Sequence, residues 1–89
     1  MKIYDYNGKK NISGNRIREV RLRRRLTQEE LAAKMQLEGV LLERDSVSRI
    51  EIGTRFVSDY ELLVFAEVLG VPANWLLRGE EALDAGAET

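Results

Sequence analysis

The segment "RDSVSRIEIG", residues 44–53, carries the side chains best suited to directional chemistry. On a helix, Val47 and Ile50 stand three apart and share one face, while Arg44, Asp45, Ser48 and Arg49 gather on another. A helix about as wide as the major groove can bring such groups to base edges. Arg pairs bidentately with guanine, Asp accepts from cytosine, and Ser tolerates several bases. The bland alternative is a solvated face on which Asp45 and Arg49 form an i, i+4 ion pair worth about 0.2–0.5 kcal/mol.

Composition narrows the remaining chemistry. Eighty-nine residues fit one small domain with a single core. The chain has no Cys and no His, which removes thiolate and imidazole zinc sites and every Ser-His or Cys-His nucleophile. No catalytic, cofactor or metal residues are expected, and an enzyme is not. No apolar run approaches the roughly 18 residues of a membrane span, and no signal-peptide pattern opens the chain. The expectation is a soluble, cytoplasmic protein without a membrane partner. The net charge of −1 hides an asymmetry. Residues 79–89 hold four acids and no base, which lifts residues 1–78 to +3. "NRIREVRLRRRL" sets Arg16, Arg18, Arg21, Arg23, Arg24 and Arg25 against the single acid Glu19. Clustered cations, rather than the total, decide phosphate binding, although a solvated basic helix face gives the same pattern.

These side chains need elements to hold them. Residues 1–13 have no sustained period and contain turn formers, so they read as an N-terminal arm in which Tyr4 and Tyr6 can pack onto the domain. A first helix runs from about Gly14 or Asn15 to Arg25, with Ile17 and Val20 inward. In "LTQEELAAKM", Thr27 and Glu30 form a capping box and Leu26 staples to Leu31. Gly39 stops that helix. The segment 44–53 is the third helix, closed by Gly53. Ser58 with Glu61, and Val57 with Leu62, repeat the box and staple for a fourth helix that ends at Gly70. Pro72 suits the first turn of a short fifth helix stopped by Gly79. The acidic residues 79–89 are expected to be disordered. The fold class is all-α, five short helices, with residues 14–78 as the domain.

In this order, "RIREVRLRRRLTQEELAAKM", "DSVSRIEIGTR" and "ELLVFAEVLGVPANWLL" resemble the helix-turn-helix domains of the phage lambda repressor and Cro-like (XRE-type) regulators. The resemblance spans roughly residues 14–78. It implies a lambda-repressor-like domain whose second and third helices form the DNA-binding unit, and a homodimer on a double-stranded operator. Arg44, Asp45, Ser48 and Arg49 are then the expected base contacts, and Thr27, Gln28, Ser46 and Arg55 the expected backbone contacts. The resemblance also implies an ion pair between Arg21 and Glu51.

Three departures from that pattern matter. "MQLEGVLLERD" lengthens the turn between the second and third helices by about five residues. Leu42 should fill the core site of the usual turn residue, while Val40 and Leu41 must be housed against the extended helix or at a subunit contact. Ile52 stands where the family often has a polar residue facing DNA backbone. It either packs under the following loop, the favoured reading, or touches a thymine methyl or sugar. Arg25 occupies a helix-end site often taken by Gly, where a left-handed backbone costs of order 1 kcal/mol.

The expected function is a sequence-specific regulator of transcription, a repressor. Two other functions fit the same fold. One is an antitoxin that represses its own operon and also binds a toxin; an anti-repressor is another conceivable protein partner. The other is a protein-binding adaptor. The polar third-helix face disfavours the adaptor, because such a surface needs aromatic or aliphatic anchors. Finally, "VPANWLLRG" places Trp75, Leu76 and Leu77 on a helix too short to bury all three, so at least one is expected at a two-fold interface; the bland alternative is that Trp75 and Leu76 complete the core of one chain and Leu77 is merely exposed.

Overall fold

Thr27 and Ser58 each open a helix in the same way. The Thr27 hydroxyl accepts from the Glu30 amide at 3.0 Å and the Glu30 carboxylate accepts from the Thr27 amide at 2.8 Å. Ser58 and Glu61 make the same exchange. The computed structural model describes residues 5–80 and contains α1 (Gly14–Arg23), α2 (Gln28–Leu37), α3 (Arg44–Ile52), α4 (Asp59–Leu69) and α5 (Ala73–Arg78). Among the described residues there is no strand, only an isolated bridge between Tyr6 and Lys9. Tyr4 and the part of the acidic segment beyond residue 80 lie outside the described residues. Pro72 sits one place earlier than its expected first-turn position, as the α5 N-cap.

One core serves all five helices. Ile17 and Val20 of α1, Leu31 and Met35 of α2, Val47 and Ile50 of α3, Phe65 and Leu69 of α4, and Trp75 and Leu76 of α5 are buried together. Each large apolar side chain contributes roughly 1.5–3 kcal/mol of burial. Gly39 takes a left-handed backbone, φ +86°, beyond the end of α2. Its amide bonds to the Gln36 carbonyl, and the Val40 amide to that of Met35, which satisfies the last turn. In the lengthened turn Val40 and Leu42 are both buried in the core, and Gln36 holds the Leu42 carbonyl at 2.8 Å. Leu41, between them, is 86% exposed. The turn thus anchors on alternate residues and turns Leu41 outward.

Helix α1 stops at Arg23, two residues before the expected end. Arg25 is left-handed, φ +58°, and its amide and that of Leu26 return to the carbonyls of Leu22 and Arg21. Residues 5–13 are docked onto the domain. Asn7 and Gly8, both at positive φ, make a tight reverse turn of the kind Asn-Gly favours. The Lys10 amide then donates to the Gly53 carbonyl at 2.8 Å. The Asn11 side chain donates to the carbonyls of Ile50 and Arg55 at 3.0 and 2.8 Å and accepts from the Gly14 amide at 2.7 Å. Gly14 meets α3 so closely that an added Cβ would overlap the Ile50 carbonyl oxygen. Tyr6 remains exposed.

Candidate nucleic-acid interface

Helix α3 turns Val47, Ile50 and Glu51 into the domain and exposes Arg44, Asp45 and Arg49. Ser46 and Ser48 are half-buried at the edges of that outward face. Gly53, φ +96°, ends the helix, with the Gly53 and Thr54 amides returned to the Ile50 and Arg49 carbonyls. Of the two arginines, Asp45 pairs with Arg44, at 3.6 Å, with both side chains mostly in solvent. The i, i+4 pairing with Arg49 is therefore not the arrangement found.

Beneath this face Arg21 and Glu51 form a two-point ion pair. Arg21 Nε reaches one carboxylate oxygen at 2.7 Å and Nη2 the other at 3.0 Å. The side chains are 8% and 2% exposed. Arg21 Nη1 also donates to the Leu26 carbonyl at 2.7 Å, and the Gln28 amide donates to Glu51 at 3.0 Å. One carboxylate thereby joins α1, the start of α2 and the last turn of α3. Gln28 enters the site oriented by this network and half-buried, while Thr27 is exposed beside it.

Arg55 is held differently from a free surface cation. Its guanidinium meets both oxygens of Glu61 at 3.1 Å and the Phe56 carbonyl at 2.9 Å. Burial pushes the Glu61 carboxyl up, but the Arg55 fork and the Ser58 amide and hydroxyl outweigh it and leave the group below its ordinary range. The Thr27 amide and hydroxyl likewise lower Glu30.

The arginine-rich α1 is less a phosphate surface than its sequence suggests. Arg24 donates to the Leu69 carbonyl at the end of α4, and Arg16 to the Leu77 carbonyl at the end of α5. A guanidinium at a helix C-terminus meets unpaired carbonyls and the negative end of the helix dipole. Arg23 pairs with Glu19 one turn away. Arg21 is buried, while Arg18, Arg23, Arg24 and Arg25 stay exposed. Of these four, Arg18 and Arg25 make no such contact to a helix end or to Glu19 among the described residues. Ile52 also departs from expectation. It is 61% exposed rather than packed under the loop, because seven residues after Asp45 the helix returns to its outward side.

The parts missed at the sequence level are Asn11 and Gly14, which fasten the far end of α3. The Asn-Gly pair at 7–8 was the available signal for a compact turn there. Among the described residues no group of three or more acidic side chains is placed to hold a metal, and no helix is long and apolar enough to cross a membrane. A family model described as a helix-turn-helix domain matches residues 14–79. The chain belongs to that family, which is of the Cro, lambda-repressor and XRE type. No curated protein matches it. Membership in this helix-turn-helix family suggests a DNA-binding regulator, and such domains are typically non-enzymatic.

Proposed function

We propose that this chain is a sequence-specific, double-stranded-DNA-binding repressor that works in the cytoplasm, without catalysis, by placing α3 in the major groove. One observation carries the reading. The outward face of α3 sets Arg44, Asp45, Ser48 and Arg49 on a helix whose inner side is pinned by the buried Arg21–Glu51 pair. In this reading those four residues meet base edges. Thr27, Gln28, Ser46 and Arg55 meet the backbone, with the first-turn amides of α2 available to a phosphate. Arg55 contributes less than a free arginine because Glu61 already shares its charge. Residues 14–78 act as the binding unit, residues 1–13 as its arm and 79–89 as an acidic tail. The active species is a homodimer with recognition helices about 34 Å apart, one turn of DNA. Since Trp75 and Leu76 are buried, Leu77, at 38% exposure, is the member of that trio left to meet a second copy.

Selection of bound duplexes from a random pool tests the reading, followed by titration of the selected and a scrambled duplex across a salt series. The expected result is a preferred site whose log affinity falls linearly with log salt. Arg44→Ala or Arg49→Ala should cost about 1–3 kcal/mol on that site and flatten the preference at one base pair. Equal losses on both duplexes for both variants would reduce α3 to an electrostatic handle. A protein-binding adaptor would show only weak, sequence-blind affinity.

A further inference from the structure

We infer that Ile52 reads a thymine methyl group at the inner end of the recognition helix; this rests on the DNA-binding reading above. At 3.6 residues per turn, Ile52 projects about 20° from Asp45, two turns further along the same face. It stands three residues after Arg49 and four after Ser48, so it shares their side of α3. The residue is 61% exposed. The neighbouring chain does not cover it. The docked arm bonds instead to the carbonyls of Ile50 and Gly53, and Lys9 lies against Gly53.

An isolated aliphatic group on an otherwise polar, groove-facing surface has no use for a phosphate, to which it offers no donor. The major groove presents one apolar feature of matching kind, the C5 methyl of thymine. The position along the groove follows from the helix rise. Seven residues at 1.5 Å place Ile52 about 10 Å beyond Asp45 along α3. The thymine should therefore lie to one side of the base pair met by the start of α3, in the direction of the helix end. Asp45 and Ile52 then bracket the stretch of sequence that one helix reads.

Replacing each thymine of the selected duplex in turn by deoxyuridine, which lacks only the methyl, tests this on the full chain. Wild-type binding should weaken about fourfold at one position, corresponding to the roughly 0.8 kcal/mol of one buried carbon. Ile52→Ala should bind the thymine and uracil duplexes equally. Because Ile52 is exposed, that variant should melt with the wild type. A wild type indifferent to every replacement, an Ile52→Ala protein that keeps the fourfold effect, or a selected site without thymine would each overturn the inference while leaving DNA recognition intact. A wild type that prefers no duplex over the scrambled one would overturn DNA recognition itself, and this inference with it.

Discussion

Glu51→Gln isolates the charge that joins three helices. The substitution keeps shape and one acceptor but leaves the Arg21 guanidinium, 8% exposed as a side chain, with the Leu26 carbonyl and an amide oxygen in place of a carboxylate. Gln28 also loses its charged acceptor. Breaking a buried pair by removing one partner costs roughly 3–5 kcal/mol. The retained amide oxygen argues for the lower end, about 3 kcal/mol. A chain of 89 residues at the usual 0.05–0.15 kcal/mol per residue holds at most about 4–13 kcal/mol, so this single change removes a large share of its stability. Replacing both partners, as Arg21→Met with Glu51→Leu, removes the desolvated charges together and should be much milder than the single change. Urea unfolding followed through the fluorescence of Trp75, the sole tryptophan, gives each value. If Glu51→Gln lies within about 0.5 kcal/mol of wild type, the pair is not what fastens α3, and the reasoning fails.

Gly14→Ala, which at an open helix position would stabilise by roughly 0.5–1 kcal/mol, should here destabilise by about 1–3 kcal/mol, because the methyl overlaps the Ile50 carbonyl; the sign of the shift in urea midpoint decides it. Arg25→Gly should relieve left-handed strain and be neutral or stabilising by about 1 kcal/mol, and a clear loss in the same assay would place that arginine in a role other than ending α1. Glu30 and Glu61 both titrate below the ordinary carboxylate value of 4.5. Their contribution is therefore full above that value and lost as pH falls through the lowered folded values. Unfolding free energy should drop on acidification below about pH 4.5, and Glu61→Gln should flatten that drop; an unchanged acid limb in the variant would remove Glu61 as a cause.

Much of the domain was written in local patterns. The two capping boxes fixed where α2 and α4 begin, and Gly39, Gly53 and Gly70 marked helix ends, because a cap acts over four residues and can be read in place. The outward face of α3 was legible from spacing alone. The Arg21–Glu51 pair was not, since 30 residues separate its partners; family resemblance supplied it. The fate of the arginine run was illegible for a related reason. Arg16 and Arg24 end on backbone carbonyls 61 and 45 residues away, and no side-chain pattern announces a carbonyl. Ile52 was misjudged because its apolar character outweighed its register. Asn11 looked like an ordinary loop residue, although its amide group alone meets three backbone positions.

The fastening of α3 is uneven in kind: polar grips crowd its last turn, while its first half is held by the buried Val47. Its last turn is gripped by Asn11, the Lys10 amide, the close approach of Gly14 and the Arg21–Glu51 pair. Its first residue follows a turn anchored through Val40 and Leu42, and Glu43 provides no side-chain cap. Over the eight steps from Ile52 to Arg44, about 12 Å, a tilt of 5° at the gripped end swings Arg44 by about 1 Å. That is enough to spoil a bidentate bond whose working range spans about half an ångström. Substitutions in residues 5–14, at the opposite end of the helix from Arg44, should therefore re-aim the arginine by leverage; on the proposed reading, variation in this arm would alter base preference while leaving the residues of the α3 face unchanged.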